Sequence, residues 1–214
     1  MGTNVATAVV TGNIIPFPRI SPYQDELLHA VSRLEQPDDR AAMLRIPKNV
    51  LKDASLSPGN RLLLGFIAGH QRGCFRKTTT IADNLGITPR SIRRGITTLQ
   101  SRGFLLKRKN RIYAEFEGAD TKAIQAISLP ANLVMMIRSE GVTARDKLVF
   151  GLIYWWLRSG AVMPRTATAR ALGCGRSDVY KSTKRLNLAG PETLQPWMEL
   201  WNVFAVWEDE GECE

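Results

Sequence analysis

The sequence predicts a mainly α fold with small β hairpins, in which one three-helix unit occurs twice in tandem. Three observations predict it: an internal repeat across residues 46–190, a series of helix start and stop signals, and a two-residue alternation behind one helix. The repeat pairs Ile46-Pro47-x-Asn49 with Leu129-Pro130-x-Asn132. It pairs Leu56-Ser57-x-x-Asn60-Arg61-Leu62-Leu63-Leu64-Gly65-Phe66-Ile67 with Val142-Thr143-x-x-Asp146-Lys147-Leu148-Val149-Phe150-Gly151-Leu152-Ile153. Ala82-x-x-Leu85-Gly86 recurs as Ala169-x-x-Leu172-Gly173, and Ile92, Leu99 and Gly103 recur as Val179, Leu186 and Gly190. The offset drifts only from 83 to 86 to 87, so two small insertions in loops account for all four matches. Duplication is the simplest origin.

In chain order, residues 1–20 are rich in Gly, Thr, Asn and Pro and read as a flexible N-terminus. Ser21-Pro22 opens an amphipathic segment, 21–45, with Leu27, Leu28, Val31 and Leu34 on one face and Pro37 as a stop; it packs on the first unit or on a second copy of the chain. The first unit spans 46–116. Ser57-Pro58 is a cap and first-turn pair that starts a helix, and Leu62, Leu63, Phe66 and Ile67 give it an apolar stripe. His70 at its end suits the helix dipole. A second helix runs from about Thr79 to Leu85 and stops at Gly86; Thr88-Pro89 then starts a third that runs to about Arg102. Gly103 breaks it, and Ile112, Ala114 and Phe116 alternate with Tyr113 and Glu115, so two strands around Lys109-Asn110 form a basic hairpin.

Residues 117–128 read as a linker and 129–190 as the second unit, whose third helix opens at Gly175-Arg176-Ser177-Asp178 and which lacks a basic hairpin after Gly190. The apolar runs Leu62–Leu64 and Leu148–Ile153, with Trp155 and Trp156, are read as two cores. The tail, 191–214, places Leu194, Trp197, Met198 and Trp201 at helical spacing, and Val203–Trp207 reads as a strand. Trp197, Trp201 and Trp207 are candidates for a protein interface.

Charge divides along the same boundaries. The chain of 214 residues carries +9 overall; residues 46–116 hold +11, 129–190 hold +7, and the tail holds −7 with no basic residue. Two basic blocks with acidic ends point to a polyanion partner, nucleic acid before membrane. No apolar run nears the about 20 residues of a membrane span, so no membrane contact is expected, and Ala6–Val10 lacks the basic flank of a signal peptide. Cys74, Cys174 and Cys213 lie far apart, which argues against disulfides and structural zinc and for a reducing cytoplasm. His29 and His70 are isolated, and no phosphate-binding glycine loop or nucleophile elbow occurs. No catalytic residue, metal or cofactor is expected.

On the third helix of the first unit, Ile92, Ile96 and Leu99 must face inward, which turns Arg90, Arg94, Thr97 and Ser101 outward with Ser91 and Arg93 beside them. Arg pairs bidentately with guanine, and short hydroxyls reach bases or phosphates. Thr78, Thr79 and Thr80, together with Thr88, sit at helix starts where phosphates bind. Lys107, Arg108, Lys109 and Arg111 in the hairpin would touch DNA backbone or minor groove. The corresponding set in the second unit is Arg176, Ser177, Tyr180, Lys181, Lys184 and Arg185, where Lys favours affinity over base choice. Against this stands the simpler alternative that both are surface helices with solvated cations.

Helix, short turn, helix and basic hairpin together resemble a winged helix domain. Residues Leu56–Lys109 are similar to the helix-turn-helix of phage and plasmid replication proteins, notably Thr80-Ile81-Ala82-x-x-Leu85-Gly86-Ile87-Thr88-x-Arg90-Ser91-Ile92 and Leu99-x-x-x-Gly103-Phe104-Leu105. The resemblance implies two tandem winged helix domains acting as a monomeric pseudo-dimer or as a homodimer. It also implies double-stranded DNA as ligand and host replication proteins as partners. Recognition helices would enter successive major grooves, and direct repeats in an origin are the expected target. A plasmid or phage replication initiator is the first expectation. An operator-binding regulator of transcription or plasmid maintenance is the alternative, and an adaptor acting through the tail is the third.

Overall fold

The computed structural model describes residues 43–70, 72–115, 126–130, 141–158, 165–189 and 198. Residues 21–42 of the segment expected over 21–45, the tail aromatics Trp197, Trp201 and Trp207, and the strand expected at 203–207 lie outside the described residues. In order, the elements are β1 (Met43–Pro47), α1 (Lys48–Lys52), α2 (Pro58–Ala68), α3 (Thr78–Leu85), α4 (Pro89–Ser101), β2 (Leu105–Arg108), β3 (Arg111–Ala114), β4 (Ala126–Pro130), α5 (Ala144–Arg158), α6 (Arg165–Leu172) and α7 (Arg176–Ala189).

The helix starts follow the capping signals. Ser57 accepts a hydrogen bond from the Asn60 amide at 3.2 Å and Thr88 from the Ser91 amide at 3.3 Å, each with proline in the first turn. Thr143 and Asp146 cap α5 reciprocally, the Asp146 amide donating to the Thr143 hydroxyl at 3.3 Å and the Thr143 amide to the Asp146 carboxylate at 2.7 Å. Gly86 and Gly173 end α3 and α6 with φ of 57° and 60°, in the left-handed region that costs glycine little.

Helices α3 and α4 pack on α2, and β2 pairs antiparallel with β3 behind α4. An isolated bridge between Cys74 and Ile112 adds a single residue of a third strand beside β3, which ends at Ala114; Phe116, expected to continue it, lies outside the described residues. Helices α5, α6 and α7 likewise pack on one another, and α2 packs on α5. Two features depart from the sequence expectation. First, the apolar runs form one continuous core: Leu62–Leu64, Phe66 and Ile67 are buried in the same cluster as Leu148–Phe150, Leu152 and Ile153. Second, β1 and β4 form an antiparallel ladder between segments 83 residues apart, and β1 runs across the boundary expected at residue 45.

Two buried cations tie the halves together. Arg61 is 6% exposed and donates to the carbonyls of Leu51 and Leu172, each at 2.7 Å, Asp53 at 2.8 Å and Leu56 at 3.0 Å. Burial pushes its guanidinium below the usual range, and Asp53 partly counters that. Lys147, 2% exposed, donates to the carbonyl of Leu85 at 2.7 Å and reaches that of Gly86 at 3.4 Å. Each cation therefore sits on the carbonyl end of a helix in the other half, where the dipole favours positive charge.

Candidate nucleic-acid interface

Helix α4 buries Ile92, Gly95 and Leu99 against the core. The same winding exposes Arg90, Ser91, Arg93, Arg94, Thr97 and Ser101, so the outward row expected from the sequence forms one solvent face. Thr97 and Ser101 are partly engaged, their hydroxyls donating to the Arg93 carbonyl at 3.2 Å and the Thr98 carbonyl at 2.9 Å. Thr88 is exposed but serves as the α4 cap, and its hydroxyl donates to that of Ser91 at 2.9 Å. Thr79 is exposed at the start of α3, with Thr78 and Thr80 half-buried beside it.

The hairpin holds Lys107, Arg108, Lys109 and Arg111 in solvent. Arg108 meets Glu115 at 3.2 Å, a pair open enough to water to contribute little. Arg111, which pairs with Arg108 next to the turn, donates to the Arg72 carbonyl at 2.8 Å and so ties the tip end of the hairpin to the loop after α2. At the tip, Lys109 adopts φ of 53°, a conformation that costs a non-glycine residue about 1 kcal/mol or more. The tip thus keeps a cation where glycine would be easier.

Phe75 escaped the sequence reading. It is 65% exposed between the Cys74–Ile112 bridge and the start of α3, with Arg76 and Arg111 over its ring at 5.6 and 6.0 Å. A lone phenylalanine in a loop carries no periodic signal; only its neighbours in the fold reveal it as an aromatic plate inside a basic surface.

On α7, Val179, Ser182, Thr183 and Leu186 are buried, and Arg176, Ser177, Tyr180, Lys181 and Lys184 are exposed. Tyr180 stacks beneath Arg165 at 5.7 Å. Arg185 is placed differently from its neighbours. Its guanidinium forks onto Asp146 at 2.7 and 2.9 Å, and the carboxylate is wholly buried. Burial alone would raise the Asp146 carboxyl, but Arg185 and the Thr143 amide and hydroxyl outweigh it and hold it below the usual carboxylate range. Arg185 is thereby tied to the core side of α7. Among the described residues, Arg90, Arg93, Arg94, Lys181 and Lys184 have no carboxylate partner. Among the same residues no helix is long and apolar enough to cross a membrane.

Three helices with a tight turn before the third, closed by a basic hairpin, define a helix-turn-helix domain with a wing, a class of DNA-binding unit. Residues 54–105 match the family model of a helix-turn-helix domain. No curated protein and no solved structure matches the chain. The matched segment holds α2, α3 and α4 and stops at the first residue of β2, so it contains the proposed recognition helix but not the hairpin tip.

Proposed function

We propose that this chain is a non-catalytic, sequence-specific double-stranded DNA-binding protein that initiates replication of a plasmid or phage by binding repeats in its origin. Helix α4 enters a major groove, where Arg90, Arg93 and Arg94 read bases and Thr97 and Ser101 reach bases or phosphate. The wing lays Lys107, Arg108, Lys109 and Arg111 along the flanking backbone. Helices α5, α6 and α7 act as the second DNA-binding unit, with Arg176, Lys181 and Lys184 adding contacts in the adjacent groove and host replication proteins docking elsewhere.

The observation that carries this reading is the α4 row: three arginines, exposed and without carboxylate partners among the described residues, next to a basic hairpin. A protein surface that merely needs solvation mixes charges of both signs; this face does not. The initiator role rests on the resemblance of Leu56–Lys109 to plasmid and phage replication proteins and on the tandem layout. Selection of duplexes from a random-sequence library by the full chain tests the DNA-binding part, and an enriched sequence is the expected result. No enrichment over the input pool would overturn it. A plasmid that carries the enriched site as its only origin tests the role: it should persist with the native chain and be lost with Arg90→Ala/Arg94→Ala. Persistence with that variant would overturn the initiator assignment.

A further inference from the structure

The contacts between the two halves are reciprocal, and reciprocity fixes their symmetry. In the β1–β4 ladder, Met43 pairs with Pro130, Leu44 with Leu129, Arg45 with Ser128, Ile46 with Ile127 and Pro47 with Ala126. A shift of 83 residues carries β1 onto β4, and under it each pair becomes another pair of the same ladder, with Arg45 and Ser128 exchanging places at its centre. The buried cations repeat the pattern. Arg61 of α2 donates to Leu172 at the end of α6, while Lys147 of α5 donates to Leu85 at the end of α3. Arg61 and Lys147 are equivalent in the repeat, as are Leu85 and Leu172. Helix α2, finally, packs on its own equivalent, α5.

A contact in which i touches j and j touches i arises from a twofold axis. Two units related by translation would instead offer different surfaces at their shared boundary. The axis passes between Arg45 and Ser128 and between α2 and α5, so it also relates α4 to α7. B-form DNA has twofold axes of its own perpendicular to the duplex, and a twofold protein reads half-sites of opposite orientation about one of them.

We propose that a single chain reads one duplex as two inverted and unlike half-sites, one under α4 and one under α7. This rests on the DNA-binding reading above and departs from two copies of a half-site in direct orientation within one footprint. The half-sites are unlike because the outward residues differ at equivalent positions. Arg90, Arg93, Arg94 and Thr97 of α4 correspond to Ser177, Tyr180, Lys181 and Lys184 of α7, each 87 residues later. Arginine forks favour guanine edges under α4, whereas lysine ammonium groups choose bases less sharply under α7. The inverted order is therefore hidden in the native site, because its two halves do not match in sequence.

Making the helices alike exposes it. A full-length variant with Ser177→Arg, Tyr180→Arg, Lys181→Arg and Lys184→Thr carries the α4 set on α7, all at exposed positions. From a random duplex library it should enrich an inverted repeat with half-site centres about 10 base pairs apart. A direct repeat, or a single half-site, would overturn the proposal. The opposite graft, Arg90→Ser, Arg93→Tyr, Arg94→Lys and Thr97→Lys in α4, should also enrich an inverted repeat, of the other half-site. The native chain gives a test free of any folding defect. Reversing one half-site within its selected duplex should weaken binding by roughly 100-fold, as several mismatched base pairs would. Equal affinity for the reversed duplex would overturn the inverted arrangement while leaving DNA binding intact. Absence of any enriched sequence for the native chain would instead sink the DNA-binding reading and this inference with it.

Discussion

Replacing Arg61 by methionine removes the cation and leaves most of the apolar stem that packs beneath it. In the native protein its guanidinium serves four carbonyls, of Leu51, Asp53, Leu56 and Leu172. The bond to Asp53 is only partly buried, so water can replace the donor there. The other three are buried and lose their partner outright. A stranded buried carbonyl costs about 1–3 kcal/mol, and relief from burying the charge returns part of that. The expected loss is about 3 kcal/mol, which for a chain of this size lowers Tm by roughly 10 °C. Urea denaturation followed by circular dichroism measures it. Because the buried side chains of both halves form one continuous core, the variant should still unfold in a single transition. A loss below about 1 kcal/mol would refute the argument that Arg61 clamps both halves into one core.

Gly173→Ala should destabilise by about 2 kcal/mol or more. The residue holds φ of 60°, and a Cβ there would lie 2.6 Å from the Lys52 carbonyl oxygen; thermal unfolding reads this, and an unchanged Tm would contradict the close approach of α1 to α6. The Asp146 carboxyl has a lowered pKa in the folded chain, so its contribution is complete above its unfolded value near 4 and fades as pH drops through the folded value. Asp146→Asn should therefore cost stability at pH 7 and flatten the acid limb of a stability-against-pH curve, and an acid limb as steep as the native one would contradict it. Arg94→Ala should cost about 1–3 kcal/mol on the selected site and relax base choice, whereas Lys109→Ala should weaken all duplexes alike. Equal behaviour of the two in a competition titration would refute the division of labour between helix and wing.

The first unit was legible because its signals are local. Ser57-Pro58, Thr88-Pro89 and Gly86 each act within four residues of themselves, and the structure places α2, α3 and α4 within a residue or two of where those signals put them. Periodicity then sorted α4 into an inner and an outer face without further information. The junction was not legible. Residues 43–47 and 126–130 join as strands only with each other, and no turn or alternation within either segment marks a partner 83 residues away. No local pattern marks Arg61 and Lys147 for burial, which depends on carbonyls supplied by the opposite half. The repeat did contain a hint, since both cations precede apolar runs at equivalent positions. Arg185 failed for a related reason: helical geometry gave its direction approximately, but the buried Asp146 that captures it lies 39 residues earlier.

The central claim is that exposed cations on both halves engage one DNA duplex, and the dependence of binding on salt tests it most directly. Arg90, Arg93, Arg94, Lys107, Arg108, Lys109, Arg111, Arg176, Lys181 and Lys184 are exposed, and each phosphate neutralised adds about −0.9 to the slope of log K against log salt. With at least half of them engaged, fluorescence anisotropy on the selected duplex should give a slope of roughly −5 or steeper, at one chain per duplex. A slope shallower than about −2, or a slope left unchanged by Lys181→Ala/Lys184→Ala, would contradict it.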